Sequence, residues 1–188
     1  MASHTLLDTA AAVEQLRAGQ VLAYPTEAVY GLGCDPANET AVRKLLSLKD
    51  RPESAGLVLI AGEYSQLQEW VAEIDQSFVD KAMQTWPGPV TWLFPRARNV
   101  PDYLAGRHDT IAVRVTAHEP SRALCNAFGS ALVSTSANPT GAEPARSTGE
   151  VEEYFGREIA GTLAGPLGGA ENPSEIRDLL SDKIIRQA

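Results

Sequence analysis

The chain is poor in the residues that mark specialised architectures. Of its 188 residues two are cysteines, Cys34 and Cys125, far apart and in no CxxC pair. Neither a disulfide framework nor a zinc site is therefore expected, and both read as buried free thiols in a reducing compartment. The three histidines, His4, His108 and His118, lack metal-ligand spacing, and the latter two read as surface-loop residues. No apolar run approaches the ~18 residues of a membrane span, and MASHTLLDTA at the N-terminus has no basic segment followed by an apolar one. The expectation is a cytoplasmic protein, neither membrane-embedded nor exported. GxxxxGK[ST] and GxSxG are absent, and Gly31-Leu32-Gly33 fails as GxGxxG because Pro36 stands at the third glycine. A hydrolase triad of Ser134, His118 and Asp109 has no support from spacing.

Basic residues are also outnumbered, 16 against 24 acidic, for a formal charge of −8. That balance disfavours broad non-specific nucleic-acid binding, which depends on neutralising many phosphates, and leaves room only for a local basic groove. What is present is ordinary for a globular chain: 44% hydrophobic and 21% charged residues exclude disordered, collagen-like and coiled-coil readings. The length suits one α/β domain over residues 1–188.

Apolar spacing predicts a helix over 8–18 stopped by Gly19, then a buried strand over 21–26. Asn38 caps a helix running to Lys49 and ended by Arg51-Pro52. A second buried strand follows at 56–61, then helical patterns at 66–74 and 78–86, broken by Pro87-Gly88-Pro89. Strands are expected at 90–94, 110–116 and 131–134, with a helix over 121–128. Residues 135–147 are polar and rich in Pro, Gly, Ser and Thr, a surface loop longer than ordinary connectors and so a candidate functional loop. A helix at 150–155, a strand at 159–163 and two short strands in the tail complete an α/β alternation.

Several segments place small polar or cationic residues at strand ends and loops, where α/β proteins hold ligands. They are YPTEAVYGLG (24–33), LKDRP (48–52), WPGPVTW (86–92), TIAVRV (110–115) and LVSTSAN (132–138), with NPSEIRD (172–178) and IIRQ (184–187). Together, and in this order along nearly the whole chain, they resemble the YrdC/TsaC family of threonylcarbamoyl-AMP synthases in its short, single-domain form. The resemblance implies a twisted mixed β-sheet flanked by helices around a concave positive cavity. It also implies an enzyme that joins L-threonine, bicarbonate or CO2, and ATP with Mg2+ into threonylcarbamoyl-adenylate and pyrophosphate. The product would pass to a downstream tRNA threonylcarbamoyl transferase complex for the t6A modification at position 37. The alternative readings are an RNA-binding module of the same shape without catalysis, and carbamoyl transfer in hydrogenase maturation. The second is disfavoured because the zinc-finger and acylphosphatase segments that accompany it are missing.

The chemistry of the residues runs the same way. A carbamate oxygen must attack the α-phosphorus of ATP, which calls for positioned cations, and Lys49 and Arg51 at a helix end suit that catalytic role. They would also complement the helix C-terminal dipole. The period of two in TIAVRV puts Ile111, Val113 and Val115 on one face and Thr110, Ala112 and Arg114 on the other. By resemblance Arg51, Thr110, Asn138 and Arg186 contact the nucleotide, while Thr26, Arg114, Ser136 and Ser174 contact threonine. A strand-surface salt bridge at Arg114, a plain serine-rich turn at 134–138 and a loop-capping role for Thr26 remain open. The chain departs from many relatives at Ala28 and Gly56, and at Ile60, where they have a threonine-contacting histidine.

Overall fold

The computed structural model describes residues 5–187. In chain order the elements are β1 (Leu6–Leu7), α1 (Thr9–Arg17), β2 (Leu22–Pro25), β3 (Tyr30–Gly33), α2 (Glu39–Leu48), β4 (Val58–Ala61), α3 (Gln76–Met83) and β5 (Val90–Pro95). Then follow α4 (Asp102–Ala105), β6 (Thr110–Val115), α5 (Glu119–Phe128), β7 (Leu132–Ser136), α6 (Thr148–Phe155), β8 (Thr162–Leu163), β9 (Glu175–Asp178) and β10 (Ile184–Arg186). The strands form one mixed sheet in the order β1-β8-β2-β3-β7-β4-β6-β5-β9-β10. β7 is the seam, pairing antiparallel with β4 along its first residues and with β3 at Thr135 and Ser136.

Helix starts follow local chemistry. The side chains of Asp8 and Asn38 accept from the backbone N–H of Ala11 and Ala41, and Ser147 with Glu150 forms a capping box at the start of α6. α1 and α5 cover one sheet face over Leu22, Tyr24, Ile60 and Leu132, forming the smaller apolar cluster. The larger cluster, with Leu59, Ala61, Val113, Val133 and Trp92, lies on the opposite face. The alternation expected in β6 holds: Ile111, Val113 and Val115 are buried in that core, and Thr110, Ala112 and Arg114 face the other way into a cavity.

Three regions differ from the sequence expectation. Residues 66–74 are not a helix: a 3-10 turn at Tyr64–Leu67 gives way to extended chain, in which Val71 bridges Arg96 and Ala72 N–H donates to the oxygen of Pro95. Leu67, Trp70 and Val71 have helical spacing, but backbone pairing to the end of β5 wins. The segment after Pro25 also returns as a strand, because Thr26 to Val29 close a tight turn and β3 pairs antiparallel with β2, Tyr24 opposite Gly31 and Leu22 opposite Gly33. The two glycines of YGLG leave room for a side chain. A Cβ at Gly33 would lie 2.7 Å from Tyr24 Cε1, and one at Gly31 3.2 Å from its Cζ. The loop expected from 135 starts two residues later and folds back on β3, with Ala137 donating to Tyr30 and Tyr30 to Ala145.

Candidate active site

Where α1 and α5 end, the sheet face they cover continues bare, and Leu93, Ala112, Val58 and Ser134 form the floor of a cleft of about 550 Å³. That volume lies in the usual range for small-ligand sites. The walls come from the β2–β3 turn, the segment after α2, and the chain from Asn172 to Ser174 with β10. Three guanidinium groups line it, those of Arg51, Arg114 and Arg186, against one carboxylate, Glu27. The cleft is therefore positive although the chain carries −8.

Of the residues singled out by sequence, Thr26, Arg51, Thr110, Arg114, Ser136, Ser174 and Arg186 line this cleft. Arg114 is buried, and its Nη1 lies 2.8 Å from Glu27 Oε2 while its Nε has no hydrogen-bond partner. The salt-bridge reading thus holds as a buried pair, in which the guanidinium keeps a buried nitrogen without a partner. Glu27 Oε1 accepts from the Thr116 hydroxyl at 2.7 Å. Burial raises the Glu27 pKa, but the Arg114 charge and the Thr116 hydrogen bond outweigh it and hold the carboxyl below its ordinary range. The Thr26 hydroxyl donates to Val29 O at 2.6 Å, so it caps the turn while lining the wall.

Arg51 Nη2 donates to Gly56 O at 2.9 Å, fixing the guanidinium at the rim, and its Nε is also without a partner. Ser174 shares a hydrogen bond with the Thr91 hydroxyl, and its carbonyl accepts from Arg186 Nη2 at 2.6 Å. This ties the tail strand to the cleft.

Lys49 and Asn138 stand behind the wall. Lys49, expected as a catalytic cation, is buried off the cleft lining, and its ammonium donates to the main-chain oxygens of Ser136 and Asn138. Burial first, and the neighbouring Arg51 charge second, lower its pKa to about 8. Asn138 Nδ2 donates to Ala142 O at 2.7 Å and Pro139 O at 3.0 Å, so this amide folds its own turn.

Ser134, in the LVSTSAN segment singled out for ligand contacts, does line the cleft. Sequence reasoning gives Glu27, in YPTEAVYGLG, no role of its own, because its partner Arg114 lies far along the chain. His118 is corrected from surface to buried: its Nε2 faces Pro166 O and its Nδ1 faces Ser121 Oγ, both at 3.1 Å. Asp109 is exposed and Ser134 is bonded to Tyr24, so the hydrolase triad is not assembled. His108 is exposed at the cleft. Both cysteines are free and buried, as expected, with their pKa values raised by burial.

The same architecture is found elsewhere. The threonylcarbamoyl-AMP synthase of Halorhodospira halophila is 52% identical over 176 residues, covering 94% of this chain and 92% of that one. The protein of that name from Idiomarina loihiensis is 54% identical over 168 residues, covering 88% and 90%. The crystal structure of P. abyssi Sua5 complexed with L-threonine superposes with a TM-score of 0.82 at 30% identity over 93% of this chain. This chain spans about half of that longer protein, 52%. A model of the Sua5/YciO/YrdC domain, described as telomere recombination, matches residues 14–188. With its sheet, its arginine-lined cleft and its motifs in order, the chain belongs to the Sua5/YciO/YrdC family.

Proposed function

We propose that this protein is a threonylcarbamoyl-AMP synthase, acting on L-threonine, bicarbonate or CO2, and ATP in the cleft of β6 and β7. The observation that carries the reading is a positive cleft holding a buried arginine with an unpartnered Nε, in a chain about half identical to proteins of that name. The neutral threonine amine adds to CO2 and gives up a proton, or condenses with bicarbonate with loss of water, giving a carbamate. A carbamate oxygen then attacks the α-phosphorus as the bond to the bridging oxygen breaks and pyrophosphate leaves.

Arg114 suits the threonine carboxylate, since its planar fork matches a carboxylate and its Glu27 contact occupies Nη1 only. Thr26, Ser136 and Ser174 offer hydroxyls around the amino acid. Arg51, Thr110 and Arg186 suit the nucleotide, gathering phosphate charge that would otherwise repel the carbamate. Lys49 and Asn138 support the chemistry by shaping the turn that presents Ser136. Mg2+ fits as the counter-ion carried by the ATP phosphates: among the described residues no cluster of three or more metal-ligating side chains occurs, and Glu27 is committed to Arg114 and Thr116.

The downstream partner is a tRNA threonylcarbamoyl transferase complex, and action on tRNA fits a cytoplasmic site. No described helix is long and apolar enough to cross a membrane. The test is to incubate the protein with ATP, Mg2+, bicarbonate and threonine without RNA. Pyrophosphate and a threonylcarbamoyl-adenylate mass are expected, each lost when any small substrate is omitted; release that appears only with RNA would overturn the reading in favour of RNA binding.

A further inference from the structure

Tyr24 is fully buried beneath the cleft, and its hydroxyl lies 2.6 Å from Ser134 Oγ. Its ring rests on β3 in space that only glycine leaves, because Cβ atoms at Gly31 and Gly33 would reach it at 3.2 and 2.7 Å. Ser134 is its single hydrogen-bond partner among the described residues.

These facts fix the direction of the bond. If Ser134 donated, the phenolic hydrogen would be buried without an acceptor, a loss that a donating Tyr24 avoids. Burial also raises the phenol pKa, so it keeps its proton throughout the working range. With Tyr24 donating, one lone pair of the Ser134 oxygen is taken and its own hydrogen is free to be donated. Ser134 lines the cleft, and no described group other than Tyr24 bonds its hydroxyl. The hydrogen is thus aimed at whatever occupies the cleft. Tyr24 also opens the segment that turns at Thr26 and carries Glu27 to Arg114, placing the pair at the amino-acid end.

We propose that Tyr24 is a positioning residue that holds Ser134 as a hydrogen-bond donor to the amino acid bound at Arg114. The inference rests on the assignment of Arg114 to the threonine carboxylate and adds a buried group that touches no substrate. It also gives the glycines of YGLG a purpose: they seat a tyrosine ring.

The experiment is a double-mutant cycle on the full chain, reading threonine and ATP KM and kcat from pyrophosphate release, with thermal melts alongside. Tyr24→Phe keeps the ring and removes the hydroxyl, so the threonine KM should rise about 3- to 10-fold with little change for ATP or in kcat. Ser134→Ala should do the same, and the double variant should be no worse than Ser134→Ala alone. Gly33→Ala, which keeps the tyrosine hydroxyl but displaces the ring that carries it away from Ser134, gives a second route to the same threonine-specific defect. A Tyr24→Phe effect that persists undiminished in the Ser134→Ala background, or no effect on threonine, overturns the proposal. Arg114→Ala in the same series separates the two claims. If it leaves threonine use unchanged the carboxylate assignment itself fails; if it impairs threonine while Tyr24→Phe and Ser134→Ala do not, only the role of Tyr24 falls.

Discussion

The ammonium of Lys49 lies 2.6 Å from the main-chain oxygen of Asn138, so a buried cation is held by hydrogen bonds to loop oxygens and by no ion pair with a carboxylate among the described residues. Such a group is costly to keep charged, which is why burial and the nearby Arg51 bring its pKa down to about 8 from 10.5.

The cost has a pH signature. Between about pH 8 and 10.5 the unfolded chain still holds the Lys49 proton and the folded chain has released it, so stability rises with pH in that window. Relative to Lys49→Met, the melting temperature of the wild type should be flat from about pH 6 to 7.5 and climb from about 8 to 10. Melts at matched ionic strength check this, and a difference that stays flat throughout would contradict a depressed Lys49.

Glu27→Gln leaves Arg114 buried without its counter-charge. A loss of about 1 to 3 kcal/mol is expected at pH 7, less than for a fully enclosed pair because the cleft admits water. Since the folded pKa of Glu27 is lowered, its contribution is present above the ordinary carboxylate range and disappears as pH falls through the folded value. Urea denaturation at neutral and acid pH should show a gap that closes on acidification. Equal stability at pH 7 would contradict the pairing.

Arg51→Ala removes a rim cation and one bond to Gly56 O. Loss of a charged hydrogen bond to phosphate predicts a kcat/KM for ATP lower by about 10- to 150-fold, with a melt shifted by no more than ~1 kcal/mol. A variant that unfolds, or one with normal ATP use, would place Arg51 in the scaffold. Lys49→Ala should behave differently and destabilise as well, because its three acceptors lie inside the protein.

Much of the fold was legible because its signals are local: Asn38 capping α2, the period of two in β6, the proline break before β5. The helix expected over 66–74 was misread because Leu67, Trp70 and Val71 carry helical spacing while being fixed by pairing to residues 95–97, which no window of sequence contains. β3 was hidden for a related reason, since glycine in Gly31 and Gly33 signals a loop until Tyr24 is seen against them. In the site, Arg114 and Thr110 followed from strand alternation. The depth of Lys49 and the Glu27–Arg114 pair did not, because both depend on contacts more than eighty residues away along the chain.

If the Arg114 end of the cleft takes the amino acid and the Arg51 end the nucleotide, titrating each substrate against Arg114→Ala and Arg114→Lys separates the two ends most directly. A lysine ammonium cannot reproduce the planar fork, so both variants should impair threonine use. In the alanine variant the threonine KM should rise roughly 10- to 150-fold, from loss of a charge-assisted bond, while the ATP KM stays nearly unchanged. An equal rise for both substrates would move Arg114 to the phosphates, and no rise in either would remove it from the site.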